Sequence, residues 1–168
     1  MKDNDIEKIT AETIKKGGIL ARLYFDVQDK NKDNLQPLLA DLTNNHISKE
    51  KGIVYFYGRI DPPIESNGVY VTSAQITMLF SSFEDMINIV MKYTPIALEI
   101  LEPSDGYKLS TYDIQRIALN ISEFITNKNL SIALSMLNKQ DADSIKRVIE
   151  NRVKIGSELI KKINNQNH

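Results

Sequence analysis

The chain has 168 residues, a formal net charge of −1, 42 % hydrophobic and 26 % charged residues, and no cysteine. That is material for one globular domain with an appended element. The missing cysteine excludes disulfides, thiolate-ligated zinc, iron–sulfur clusters and thiol catalysis, and the balanced charge gives no global field toward nucleic acid or anionic lipid. The opening MKDNDIEKIT is polar and acidic, unlike a secretory leader, and no apolar run reaches the ~18 residues of a membrane span. A cytoplasmic location with no membrane partner is the expectation.

Residues 1–16 predict an amphipathic helix with Ile6, Ile9 and Ile14 roughly on one face, stopped by Gly17-Gly18. Ile19 to Gln28 alternates and predicts a strand, with Ile19, Ala21, Leu23, Phe25 and Val27 on one side. After the polar turn Asp29–Asn34, Leu35, Leu38, Leu39 and Leu42 fall at helical spacing, and Pro37 fits only a first turn. This helix is expected to fade by Asn44-Asn45. Gly52 to Ile60 reads as a second strand, with Val54, Phe56 and Ile60 inward and Tyr55, Tyr57 and Arg59 outward. The loop IDPPIESNG leads to a third strand, Val69 to Phe80. Asn67-Gly68 is its hairpin signal, because both residues accept positive φ. Ser82 caps a second helix that stops at Tyr93-Thr94-Pro95, and Ile96, Leu98 and Ile100 mark a fourth strand.

Strand, helix, strand, strand, helix, strand is the βαββαβ order of a ferredoxin-like α+β fold. The expectation is an antiparallel sheet with two helices on one face, over residues 17–103, after an N-terminal helix over 1–16. Residues 104–168 predict a helical extension. Ser110 can cap the backbone at Asp113, Leu109 and Ile114 occupy staple positions, and Ile114, Ile117, Ala118, Ile121 and Ile125 form a stripe. Leu130–Leu137 reads as a short separate helix, followed by a last helix from Asp141 or Asp143 to about Ile163.

Candidate chemistry is sparse. Asp29, Asn31 and Asp33 copy the start of a calcium loop, but Asn34 replaces its glycine and Ala40 its closing glutamate. A solvated turn is the better reading. His46 and His168 have no spaced partner, and there is no nucleophile elbow, phosphate loop or dinucleotide fingerprint. No catalytic residue, metal ligand or cofactor is assigned. The binding candidates lie on the sheet face away from the two helices and on the hairpin: Arg22, Tyr24, Tyr55, Tyr57, Arg59, Asp61 and Glu65. Strand tyrosines beside arginines can stack RNA bases, although the aromatic- and glycine-rich signature of such modules is absent.

The runs GGILARLYFDVQ, IDPPIESNGVYVTSAQITMLF and YTPIALEILEP, with the helical tail, resemble an uncharacterised archaeal protein family. The resemblance implies a ferredoxin-like domain with a helical C-terminal extension and assigns no site residue. Metallochaperones of similar fold need a Cys-x-x-Cys motif, and the small-molecule-sensing ACT domains often have a first-loop glycine. Neither feature is present here. The function expected is therefore a non-enzymatic, homo-oligomeric binding or interaction module, with an RNA-binding module or a small-ligand regulatory domain as alternatives.

Overall fold

A computed structural model describes residues 3–136 together with Arg147 and Ile155. The last helix expected over 141–163 lies outside the described residues. Two compact units divide the chain, residues 1–117 and residues 118–168.

The first unit is an α+β fold of ferredoxin-like type. Helix α1 spans Asp3–Lys15 and strand β1 Ile19–Asp29; helix α2 spans Leu35–Asp41, strand β2 Ile53–Ile60, strand β3 Ile64–Ser66 and strand β4 Val69–Phe80. Helix α3, Phe83–Tyr93, and strand β5, Ala97–Glu102, complete it. The sheet is antiparallel throughout, in the order β2-β4-β1-β5, with the short β3 also paired to β4. β1 and β4 form the centre, in unbroken register from Ile19↔Phe80 to Asp29↔Tyr70.

Burial follows the alternation. Ile19, Ala21, Leu23 and Phe25 from β1, and Ala74, Ile76, Met78 and Phe80 from β4, form one core with Leu39 of α2, Ile47, and Met86 and Ile89 of α3. The Ile, Leu, Phe and Met side chains among them are of the kind that contribute ~1.5–3 kcal/mol each when removed from water. Helix α3 starts as its sequence predicts: Ser82 accepts from the Asp85 N–H, and Glu84 and Asp85 occupy the positive end of the helix. It ends with Thr94 at φ 46°.

Three elements depart from the expected pattern. The helical stretch after Asn34 does not fade at Asn44-Asn45. It widens into a π turn over Leu42–His46 and then tightens over Ile47–Lys49, which carries Ile47 into the core. In β2 the register slips between Ile53 and Tyr55, so Val54 is the extra residue of a bulge and is exposed, and Ile53 takes the inward place expected for it. Helix α4 runs without a break from Thr111 to Met136, so Leu130 continues that helix instead of opening another.

The hairpin between β3 and β4 behaves as its residues require. Asn67 has φ 52° and Gly68 φ 80°, the paired left-handed conformations of a tight strand reversal.

Candidate functional site

Arg22, Tyr24, Tyr55, Tyr57 and Arg59 share the sheet face opposite α2 and α3, because each is paired at a register position that alternates with the core residues. The face is partly covered, and the cover is α1. Thr10 of α1 is buried and hydrogen-bonds the Tyr55 hydroxyl at 2.7 Å; Thr77 and Leu79, which point away from the core cluster, are buried as well. Tyr55 and Tyr57 stack with ring centroids 6.2 Å apart, and Tyr57 stays 57 % exposed. Arg22 donates to Glu99 of β5 at 3.0 Å. The Tyr24 hydroxyl first, and Glu99 after it, hold the Arg22 guanidinium above its ordinary pKa, against an opposing desolvation effect.

Asp61 has a structural occupation. Its N–H donates to Ser73 O at 2.8 Å, and its carbonyl accepts from the Thr72 hydroxyl and from Gln36 of α2. Its carboxylate accepts from the Ser73 hydroxyl at 3.1 Å and faces Arg59 Nε at 3.4 Å. These bonds fasten the chain where Pro62-Pro63 interrupt the strand. Glu65 is exposed on β3, opposite Tyr70, beyond those prolines. The structure thus brings five of the seven candidates onto one face, joins Asp61 to Arg59, and leaves Glu65 apart. In the Asp29–Asn34 turn, Asp29 accepts from the Asn31 N–H and Asn31 from the Asp33 N–H. Two of the three copied calcium-loop side chains are thus engaged by the local backbone.

Two features were not selected from the sequence. The first is a cavity of about 300 Å³ beside β2, walled by Ala40, Thr43 and Asn44 of the α2–π stretch and floored by Phe56, Gly58, Ile60 and Ile76. Gly58 in its floor marks a close approach of β2 to β4: a Cβ there would stand 2.2 Å from Gln75 O and 2.8 Å from Ile76 Cδ1. A glycine inside a strand was the available signal. The second is the outer strand β5. Leu98 and Ile100 pair with Leu23 and Ala21 and so belong to the core side, yet they are 39 % and 43 % exposed, and Ile96 is 63 % exposed. No periodicity distinguishes a covered apolar strand from an uncovered one.

A polar node fixes the loop after Ile47. The Glu50 carboxylate pairs with the Lys92 ammonium and accepts from the Tyr93 hydroxyl at 2.6 Å. Lys92 first and Tyr93 second hold Glu50 below the ordinary carboxylate range, and burial with the facing Glu50 raises Tyr93. Among the described residues no group of three or more His, Cys, Asp or Glu side chains is placed to hold a metal ion, and no helix is long and apolar enough to cross a membrane. A second cleft, of about 260 Å³, lies where Phe83, Tyr107 and Ile117 meet; Arg116 spans it to Glu84 at 2.7 Å and Asp113 at 3.2 Å.

No curated protein and no solved structure matches the chain. One family model does, over residues 20–167. With nearly the whole sequence inside that match, the chain belongs to the MJ0538 family.

Proposed function

We propose that this protein is a non-enzymatic, cytoplasmic interaction module of an archaeal family and that it works as a homo-oligomer. The observation that carries the reading is β5. It is an outer strand flanked only by β1 among the described residues, and its Leu98 and Ile100, with Ile96 just before it, are 39–63 % exposed. An unpaired strand edge with an apolar flank is a template for association. Ile114, Leu119, Ile125 and Ile132 of α4 are also half exposed, while Ile117 of the same helix is buried. Light scattering over a wide concentration range tests the reading. A mass that climbs above the 19.1 kDa of one chain supports it, and 19.1 kDa at every concentration removes it.

A second reading rests on Tyr57, exposed and stacked on Tyr55 beside Arg59. This edge of the sheet could stack single-stranded RNA. Helix α1 narrows the platform by engaging Tyr55, so the reading depends on Tyr24, Tyr57 and Arg59. Tyr57→Ala should then weaken RNA binding several-fold, and equal affinity, or binding indifferent to salt, would sink it. The cavity beside Gly58 is the place for a small regulatory ligand, should one exist.

A further inference from the structure

The two outer strands of this sheet are complementary to each other, and we infer that copies of the chain join by pairing β5 of one with β2 of the next. The inference rests on the oligomeric reading above and names its contact. β1 is antiparallel to both β4 and β5, and β2 is antiparallel to β4. β5 therefore runs with β4 and against β2. Two copies laid side by side, same face up, present β5 and β2 as antiparallel neighbours, with their helical layers on one side.

The edge of β2 is ready for a partner. Asp61 N–H donates to Ser73 O, so Tyr57, Arg59 and Asp61 turn their backbone groups toward β4, and Phe56, Gly58 and Ile60 turn theirs outward. The Val54 bulge and Pro62-Pro63 close this stretch at its two ends. Within it, no charge points to the helical side.

The side chains match at one register. Setting Arg59 opposite Glu99 of the next copy also sets Gly58 opposite Ile100 and Ile60 opposite Leu98. On the helical side, the half-exposed Ile100 and Leu98 then lie beside the cavity that Phe56, Gly58 and Ile60 line. On the other face, Arg59, 73 % exposed and 3.4 Å from Asp61, meets the Glu99 carboxylate. Arg22 pairs with the same carboxylate from within its own sheet, so Glu99 is bracketed by two guanidinium groups. Because the two edges differ, the contact is head-to-tail and propagates into rings or filaments instead of stopping at a two-fold dimer.

Charge reversal tests this. Arg59→Glu and Glu99→Arg each place like charges opposite one another, and each should weaken self-association about tenfold. An equimolar mixture of the two restores an opposite-charge pair at every junction, and so does the double variant. Both should recover wild-type assembly by light scattering. Arg59 is exposed, so Arg59→Glu is expected to keep the wild-type melting curve, and recovery in the mixture cannot come from misfolded chains. Single variants that assemble like the wild type, or a mixture that does not recover, overturn the β5–β2 contact while leaving oligomerisation in place. A wild-type chain that never assembles overturns both.

Discussion

Thr94 is a β-branched residue in the left-handed region, at φ 46°, where it caps α3 through its N–H to Val90 O. A Cβ in that conformation costs about 1–2 kcal/mol, and glycine escapes the cost at some loss of chain entropy. Thr94→Gly should therefore stabilise the fold by roughly 0.5–1 kcal/mol, read as a higher urea midpoint with an unchanged slope. Gly52 predicts the opposite. Its φ is 84°, and a Cβ would stand 2.1 Å from Asp85 Cγ, the carboxyl that accepts from the Ser81 and Ser82 hydroxyls. Gly52→Ala should cost more than ~1 kcal/mol, and a neutral result would show that the loop relaxes freely. Some of this detail was legible in advance. Asn67-Gly68 declared its turn because few residues accept two consecutive positive φ values. Thr94 declared nothing, because proline after it forbids the helix without selecting the left-handed region.

At the scale of elements, the alternation of β1 and β4 and the cap of α3 were readable because each depends on neighbouring residues alone. The π turn over Leu42–His46 was not, since it follows from the need to bring Ile47 under the sheet. The bulge at Val54 and the cover of Tyr55 by Thr10 were hidden for the same reason: both are set by a distant partner. The Glu50 node gives the element-scale pH prediction. Its folded pKa is depressed, so its stabilisation is fully present above the unfolded carboxylate value, about 4.3, and is lost as pH falls through the lower folded value. Glu50→Gln should therefore lower the urea midpoint at neutral pH and converge on the wild type in acid. A deficit that persists unchanged in acid would contradict an ionic origin. At the start of α4, Ser110 accepts from the Asp113 N–H at 3.1 Å and donates to its carboxylate at 2.6 Å. Ser110→Ala should cost about 0.5–2 kcal/mol of helix stability, measurable as a loss of helical circular dichroism on mild heating.

At the scale of the molecule, β4 and β1 are the central strands of the sheet, and β2 and β5 are outer strands among the described residues. The candidate face chosen from alternation proved real as a face, but α1 takes part of it. Among the described residues, exposed apolar side chains lie instead on β5 and α4. That exposure was not legible, because a sequence states which residues are apolar and not which of them the fold covers. The account joins these strands: one with apolar and acidic alternation, Leu98-Glu99-Ile100, meets an edge with Gly58 beside a cavity and a cation at Arg59.

Residue-resolved amide hydrogen exchange at low and high protein concentration tests that claim most directly. Within one chain the N–H groups of Tyr57 and Arg59 are bonded to β4, and those of Phe56, Gly58 and Ile60 face outward. The account predicts that Phe56, Gly58 and Ile60 exchange rapidly in dilute solution and become protected as concentration rises, while Tyr57 and Arg59 are slow throughout. Rapid exchange at all three outward amides at every concentration would contradict it.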